Sequence, residues 1–290
     1  MFEFPRKHQV PFDGSFRLKD AATRPDKEVS DKALEQRLKK LSKKLEALQR
    51  IFYARDSRAL LLIFQAMDAA GKDGTIRAIM KGIDPAGCQV FSFKQPSAEE
   101  LDHDFLWRTT CRLPERGRIG IFNRSYYEEV LVVRVHPEYL AAQRLPRDTD
   151  RDLIWEERFE SIRHHEQHLA RNGTIILKFW LNISAREQKS RFLERLDKPE
   201  KNWKFSPADV AERQHWHDYM HAYEEALNAT SRLHAPWYAI PADNKKFMRV
   251  AVAETLVQTL ESLSLEYPEA SDADLKQFAE ARRLLEAETD

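Results

Sequence analysis

Five short apolar runs, separated by segments of helical or mixed character, constrain the fold of this 290-residue chain most strongly. The runs occupy residues 59–67, 88–93, 118–122, 174–183 and 237–240. A strand that is buried on both faces reads as a continuous apolar run. Strands of this kind that alternate with helices form a parallel sheet with right-handed crossovers. The pattern therefore predicts a doubly wound α/β fold.

The segments around these runs suggest how the chain is organised. Residues 1–55 are predicted to form an irregular arm followed by an amphipathic helix, which begins at the N-cap candidate Ser30 and ends near Tyr53. Residues 56–265 form the predicted core. Within the core, the highly charged segment 184–231 is predicted to be a mobile lid, and 266–290 a peripheral helical tail.

Composition excludes several classes of protein. Lys plus Arg and Asp plus Glu both total 47, so the charge balance does not favour nucleic acid or an acidic membrane as a partner. The two cysteines, Cys88 and Cys111, lie in no CxxC spacing, which argues against a disulfide framework or a zinc cluster. No apolar stretch has the length of a membrane span, and the N-terminus lacks a signal-peptide pattern. A cytoplasmic protein is expected.

Residues 60–80, LLLIFQAMDAAGKDGTIRAIM, place an apolar strand, a glycine loop and the start of an amphipathic helix in that order. Glycines allow backbone N–H groups to face an anion, and the first turn of the helix adds the positive end of its dipole. Lys72 would then reach the outer phosphates. The other predicted phosphate ligands in this loop are Ala69, Ala70, Gly71, Asp73, Gly74 and Thr75.

The loop matches the phosphate-binding motif GxxxxGK[ST] only in part. Ala66 occupies the position of the first glycine, and Asp73 follows the lysine where a hydroxyl normally binds the metal. Asp68, just past the carboxyl end of the strand, is the candidate oxygen donor, and Thr75 could assist it. From the loop alone, a simple strand-to-helix turn with a solvated Lys72 is an equally good interpretation.

A second polar cluster follows the apolar run at 118–122 and reads NRSYYEE, residues 123–129. In open α/β sheets, ligands bind beyond the carboxyl ends of the strands. Arg124 could clamp a phosphoryl group during transfer, because a guanidinium donates two parallel hydrogen bonds to phosphate oxygens. A surface Arg–Glu pair beside two packed tyrosines is the alternative explanation.

Several motifs together resemble the polyphosphate kinase 2 family. They are MDAAGKDGT (67–75), FNRSYYEEVLV (122–132), FWLNIS (179–184), EQKSRFLER (187–195) and NWKFS (202–206). The likeness extends through SFKQPS (92–97), HDFLWR (103–108) and PWYAIPADNK (236–245). It covers roughly residues 60–260, and several spaced motifs in one order make it specific.

The resemblance implies a three-layer α/β/α sandwich of the P-loop kinase type, like that of thymidylate kinase, with a helical lid. It also implies Mg2+, with Mn2+ as an alternative, and polyphosphate as phosphoryl donor in place of ATP. By matching motif positions, the predicted catalytic residues are Asp68, Lys72, Arg124 and Arg191. The predicted metal ligands are Asp68 and Glu128, and the remaining predicted phosphate or nucleotide ligands are Asn123, Glu128, Arg195 and Lys204.

Asn123 together with Glu128 resembles the subgroup that phosphorylates both nucleoside monophosphates and diphosphates. The predicted function is reversible transfer between polyphosphate and AMP or ADP, forming ADP or ATP, by a homodimer or homotetramer. Guanine nucleotides are further candidate acceptors. Two alternatives stay open: an ATP-dependent nucleoside monophosphate kinase, and a non-catalytic relative that binds nucleotide or polyphosphate. The basic face of the helix at 37–50 could guide a long polyanion, although a solvated face is the commoner explanation.

Overall fold

The predicted parallel sheet is present in the structure, a computed structural model that describes residues 2–146 and 149–288. Its strands are β1 (Ala59–Gln65), β2 (Cys88–Ser92), β3 (Ile119–Asn123), β4 (Thr174–Asn182) and β5 (Trp237–Pro241). All neighbours pair in parallel, in the order β2-β3-β1-β4-β5. The carboxyl ends of β1 and β3, which precede the two predicted motifs, therefore lie side by side.

Helices cover both faces of the sheet, which confirms the three-layer sandwich. They are α1 (Asp31–Arg55), α2 (Lys72–Ile79), α3 (Ala98–Leu101), α4 (Trp107–Thr110), α5 (Val132–Val135), α6 (Ile154–Arg171), α7 (Ala185–Asp197), α8 (Pro199–Asn202), α9 (Pro207–Glu212), α10 (Trp216–Thr230), α11 (Lys245–Glu261) and α12 (Asp272–Glu286). Helices α1, α2 and α11 pack together on one face, and α6 packs with α10 on the other.

The amphipathic helix α1 has the boundaries that its sequence predicts. The Ser30 hydroxyl accepts a hydrogen bond from the backbone N–H of Ala33 at 3.3 Å, which caps the amino end. Asp56 ends the helix in a left-handed conformation with φ of 45°. The apolar face, which includes the buried Leu34 and Phe52, packs against α11. The helix is thus part of one layer of the sandwich.

The N-terminal arm lies along the edge strand β5. The backbone N–H of Val10 donates to the carbonyl of Trp237 at 2.8 Å, and the N–H of Ala239 donates to the carbonyl of His8 at 2.8 Å. These bonds satisfy backbone groups of a strand that would otherwise be an open sheet edge. The arm is irregular apart from one short 3-10 turn and this pairing, as its sequence indicates.

His8 makes the docking of the arm sensitive to acid. Burial, followed by the nearby Lys7 ammonium, lowers the pKa of His8 from 6.5 to about 4. The unfolded chain therefore takes up a proton between these two values while the folded chain does not. The stability contributed by neutral His8 is present above pH 6.5 and is lost as the pH falls toward 4.

We expect a His8→Asn variant to lose less stability than the unsubstituted protein between pH 6.5 and pH 4. Asparagine tolerates the φ of 62° at this position and does not titrate in this range. Urea unfolding at the two pH values measures the difference. Equal losses of unfolding free energy in the two proteins would contradict the role given to His8.

A buried charge network joins the segment after β3 to the opposite helical layer. The Lys178 ammonium donates to Glu166 Oε2 at 2.6 Å, to the Tyr127 hydroxyl at 2.8 Å and to the Thr230 carbonyl at 2.8 Å. The hydroxyls of Tyr126 and Tyr127 donate to Glu166 Oε1 at 2.9 and 2.8 Å. Burial lowers the pKa of Lys178 to about 8 and raises that of Glu166. The network fixes the backbone that follows Arg124.

Removing one partner of this network should be costly. Lys178→Met leaves the Glu166 carboxylate buried without a cation and is expected to lower the free energy of unfolding by about 3–5 kcal/mol. In the double variant Lys178→Met/Glu166→Gln the uncompensated charge is gone, so a smaller loss is expected. Urea unfolding of both variants checks this order. A double variant that is less stable than the single one would contradict it.

The charged segment that the sequence predicts as a lid has two structurally different parts. Its first part forms α7, α8 and α9, which carry many exposed residues. Its second part, α10, buries residues such as Tyr223 and Leu227 in the core. The predicted end of the lid at 231 therefore includes a core helix, and the exposed portion ends before α10. Within the described residues, no helix combines the length and apolar character needed to cross a membrane.

Candidate active site

The loop between β1 and α2 has the conformation that its glycine predicts. Gly71 has φ of 108°, which a side chain would strain, and Ala69 adopts a left-handed φ of 62° despite its side chain. The first N–H groups of α2, those of Lys72, Asp73 and Gly74, have no acceptor inside the helix. They form an anion-binding end of the helix beside the carboxyl edge of the sheet.

Lys72 folds back over this loop. Its ammonium donates to the carbonyl of Ala66 at 2.6 Å and borders the cavity in front of the loop. Burial, followed by repulsion from Arg124, lowers the pKa of Lys72. A phosphate that enters the cavity would oppose both effects, so binding an anion and keeping this lysine charged favour each other. This position excludes the simple solvated lysine considered from the sequence.

Arg124 lies between two carboxylates. Its Nη2 is 2.9 Å from Asp68 Oδ1, and its Nη1 is 3.2 Å from Glu128 Oε2. Glu128 first, and then Asp68, raise the pKa of Arg124, so the guanidinium stays charged. The residue has φ of 64°, and its N–H donates to the Phe64 carbonyl at 3.0 Å. A left-handed arginine held at the end of a strand is a strained conformation of the kind found at functional sites.

Two cavities meet at Arg124. The larger one, of about 960 Å³, lies in front of the phosphate loop and extends to the exposed lid helices. Its cationic lining consists of Lys72, Arg77, Lys94, Arg124, Arg191, Arg195, Lys201, Lys204 and Lys245. The smaller one, of about 310 Å³, lies beside Glu128 and has apolar walls that include Val132, Val133 and Tyr139. One face of the site is therefore strongly basic and the other is largely apolar.

Arg191 lines the larger cavity and also binds the backbone of the phosphate loop. Its Nη1 donates to the carbonyls of Ala69 at 3.0 Å and Ala70 at 2.6 Å. Its Nη2 donates to the carbonyls of Ala242 at 2.7 Å and Asp243 at 3.1 Å, and its Nε is bonded to Glu187 at 2.9 Å. All of its N–H groups are thus used. In this structure Arg191 therefore positions the loop, and its contact with a transferring phosphoryl group stays a prediction.

Two other predicted ligands, Thr75 and Asn123, differ in their access to the larger cavity. Thr75 is fully buried, its hydroxyl has no partner among the described residues, and its N–H donates to the Gly71 carbonyl at 3.0 Å. It does not border the cavity, so its predicted contact with phosphate or metal is corrected. Asn123 does border the cavity, and its amide donates to Asp73 Oδ1 at 2.8 Å. The pair ties the end of β3 to the first turn of α2.

The predicted lid ligands Arg195 and Lys204 both line the larger cavity. Arg195 Nη1 lies 3.4 Å from Asp209 Oδ2, and the Lys204 ammonium lies 4.9 Å from the centre of the exposed Trp203 ring. Lys198 and Lys201 share the carboxylate of Glu194, which lowers its pKa to about 2. These exposed pairs are weak, so an entering polyanion can replace the carboxylates.

The alternative explanation of the cluster at 123–129, an Arg–Glu pair beside two packed tyrosines, is correct in part. Tyr126 and Tyr127 are packed side chains of the buried network, as the alternative explanation proposed. Glu129 is also structural, since it is buried against Arg158 at 3.0 Å, and burial raises its pKa. Arg124 does form the proposed Arg–Glu pair, but it does so at the junction of the two cavities.

The sequence interpretation missed several residues that line the site. Lys94 and Gln95 border both cavities because they follow the end of β2 at the carboxyl edge of the sheet. The rule that ligands bind beyond the strand ends would have identified them. Arg77 and Lys245 line the larger cavity from α2 and α11, and the order of the apolar runs gave no signal for their position.

The residues present fit Mg2+ as a resident ion. Asp68 and Glu128 each direct one oxygen to Arg124. The second oxygen of Asp68 makes no hydrogen bond in the described residues, and Glu128 Oε1 lies 2.9 Å from the side-chain amide of Gln65. Mg2+ is usually held by one or two carboxylates together with substrate phosphates and water. No group of three or more His, Cys, Asp or Glu side chains with metal-binding geometry occurs in ranges 2–146 and 149–288. Two carboxylates alone would leave coordination positions of Mg2+ open, and substrate phosphates and water would fill them.

Comparison with known proteins agrees with this geometry. Residues 28–268 match the family model described as polyphosphate kinase 2. The chain is 57% identical over 243 residues to an ADP-polyphosphate phosphotransferase of Rhodopseudomonas palustris, covering 83% of this chain and 84% of that protein. It is 43% identical over 273 residues to an AMP/ADP-polyphosphate phosphotransferase of Meiothermus ruber, covering 93% and 98%. The crystal structure of polyphosphate kinase 2 from Arthrobacter aurescens TC1 is similar with a TM-score of 0.87 at 37% identity, covering 98% and 99% of the two chains.

Proposed function

The chain belongs to the polyphosphate kinase 2 family, and from that premise we propose that it transfers phosphoryl groups reversibly between inorganic polyphosphate and both AMP and ADP. The observation that carries the proposal is the junction of two unlike cavities at Arg124. Transfer between two phosphate compounds requires two binding sites that meet at the reacting phosphorus atom. This arrangement supplies them.

The larger cavity suits the polyphosphate donor. A chain of phosphates carries negative charge along its whole length, and this cavity is lined by lysines and arginines from the loop, the strand ends and the lid helices. An ordinary nucleotide needs such a lining only around its short phosphate tail. The extended basic lining therefore favours a polymeric phosphate as the occupant.

The smaller cavity suits the nucleotide acceptor. Its apolar walls offer a surface for a base and ribose. Arg124 and Arg108 also line it, and their guanidiniums can bind the nucleotide phosphates. Glu128 borders this cavity and not the larger one. Its carboxylate is placed to affect how deeply the acceptor phosphate enters, which supports acceptance of both AMP and ADP. The relative from Meiothermus ruber, whose name includes both acceptors, matches over 98% of its length.

The proposed mechanism is in-line transfer without a nucleophilic side chain. The amides at the start of α2 and the Lys72 ammonium bind the phosphoryl group, and they align it with the acceptor oxygen. Arg124 donates to the equatorial oxygens, where charge accumulates in the transition state. Arg191 holds the loop through its four carbonyl contacts and keeps these donors in place. Closure of the exposed lid helices over the cavity would exclude water as a competing acceptor.

Asp68 and Glu128 would hold Mg2+, which when bound neutralises phosphate charge and orients the two substrates. Both carboxylates contact Arg124, so the metal site and the arginine are coupled. A cytoplasmic location, a homo-oligomeric state and use of guanine nucleotides, all expected from the sequence, belong to the same proposal. Mn2+ is proposed as an alternative ion.

Initial rates with AMP and with ADP, each supplied with polyphosphate, test the acceptor half of the proposal. We expect product from both nucleotides. In a Glu128→Gln variant we expect a changed ratio of the two rates, because the carboxylate borders only the acceptor cavity. The matched control is Glu115→Gln, which changes an exposed carboxylate that pairs with Arg118 at 2.8 Å at the opposite end of β3 and borders neither cavity. Activity with only one of the two nucleotides would contradict the dual specificity.

A further inference from the structure

A second basic cavity lies at the opposite edge of the sheet from the candidate active site. It has a volume of about 650 Å³ and is bordered by residues that precede β1, β3 and β4. Strand β1 has seven residues, so at about 3.3 Å per residue the two edges are about 20 Å apart. This cavity is therefore separate from the site described above.

Four arginines surround it: Arg55, Arg58, Arg116 and Arg171. All four are exposed, and none forms an ion pair with a carboxylate in the part of the chain that the structure describes. Arg116 Nη2 reaches only the Asn172 carbonyl, at 3.5 Å, and the Arg58 guanidinium lies 5.7 Å from the centre of the Phe2 ring. The nearby Glu115 carboxylate is engaged by Arg118 at 2.8 Å. The cluster thus has N–H donors available for an anion.

Helix ends explain only part of this charge. Arg55 and Arg171 are the last residues of α1 and α6, where cations complement the negative end of the helix dipole. Each helix end carries roughly half an elementary charge. The negative charge of the carboxyl ends of α1, α6 and α11 and of the Asp56 carboxylate is therefore smaller than the positive charge of the four guanidiniums. Arg58 and Arg116 lie in loops that enter strands and have no helix end to complement.

We propose that this cavity is a second binding site for the polyphosphate chain. The inference rests on the proposed function, because it takes its ligand from the donor substrate. Several guanidiniums around one cavity repel each other, and a chain with a charge on every phosphate relieves that repulsion through charge-assisted hydrogen bonds. A long chain held here stays close to the enzyme between transfers, which raises its effective concentration at the active site. A short chain cannot span the two edges and gains nothing.

Kinetics with two chain lengths provide the first test. In an Arg116→Gln/Arg171→Gln variant we expect KM for long-chain polyphosphate to rise at least about tenfold, with kcat unchanged. KM for tripolyphosphate should not change. The charge-matched control is Lys27→Gln/Lys276→Gln, which removes two exposed lysines that lie outside both cavities and outside the basic face of α1. An equal rise in KM in both variants would overturn the proposal, since total charge would then explain the effect.

Direct binding separates failure of this inference from failure of the proposed function. Anisotropy of labelled long-chain polyphosphate is measured with a Lys72→Ala/Arg124→Ala protein, whose candidate active site is weakened. We expect this protein to bind the labelled polyphosphate. Its Kd should rise at least about tenfold when Arg116→Gln and Arg171→Gln are added. Excess ADP should not displace the probe.

Each other outcome has one meaning. Absence of polyphosphate binding to the unsubstituted protein would contradict the proposed function itself. The second site alone would be overturned if the unsubstituted protein binds polyphosphate but adding Arg116→Gln and Arg171→Gln to the Lys72→Ala/Arg124→Ala protein does not weaken binding. Displacement by ADP would identify the cavity as a nucleotide site and would also overturn the proposal.

Discussion

Replacement of Arg124 by alanine is expected to lower kcat for phosphoryl transfer by at least about a thousandfold, in the range reported for arginines that stabilise this type of transition state. The guanidinium stands where the two cavities meet, and its charge is held by Asp68 at 2.9 Å and Glu128 at 3.2 Å. Among the described residues, Arg124 is the one arginine that borders both cavities, and Lys94 is the one lysine that does so. Loss of its N–H donors should therefore affect the transition state more than the binding of either substrate.

An Arg124→Lys variant refines this test. Lysine keeps the positive charge but lacks the rigid fork of donors, so we expect intermediate activity. The matched control is Arg118→Ala, which removes an arginine that pairs with Glu115 at the opposite end of the same strand. The control should keep near-normal activity, and thermal unfolding should confirm that all three variants are folded. Near-normal kcat in Arg124→Ala would contradict the assigned role.

Replacement of Lys72 by methionine is expected to lower kcat by roughly a hundredfold to a thousandfold, the usual effect of losing one preorganised donor. Methionine retains the length of the side chain but has no charge. The lysine borders the larger cavity, and burial lowers its pKa in the absence of substrate. We therefore expect the substitution to lower kcat more than it raises KM, because the phosphoryl oxygens carry the most charge in the transition state.

Lys81→Met, just beyond the carboxyl end of α2, is the matched control for this change. Its side chain is exposed and does not border the cavity, so its rates should match those of the unsubstituted protein. Initial rates and KM for polyphosphate are measured for both variants. A Lys72→Met protein with normal kcat and a raised KM would show that the lysine only binds substrate.

The fold was predictable from the sequence because its signal is local. Each strand of a buried parallel sheet is a continuous apolar run, and all five runs became strands at nearly the predicted positions. The cap at Ser30 and the start of α2 after Gly71 are likewise local features. Strand order is not local, and only the structure places β1 between β3 and β4.

The candidate site was predictable where a residue follows the end of a strand. Asp68, Lys72 and Arg124 come directly after β1 and β3, and the structure brings them together. Arg191 was predicted as a catalytic residue from its motif alone, and its partners in the structure are backbone carbonyls from two distant segments, which spacing does not reveal. The buried Lys178 interrupts an apolar strand, and its pairing with Glu166 depends on how α6 packs. Such long-range contacts cannot be derived from periodicity.

The identity of the phosphoryl donor tests the central claim most directly. Purified protein, freed of adenylate kinase, is supplied with AMP or ADP and Mg2+, and with polyphosphate or ATP as the sole donor. The proposed function predicts ADP and ATP formation with polyphosphate, and loss of that activity in the Arg124→Ala variant. Phosphorylation of AMP by ATP with no activity from polyphosphate would contradict it.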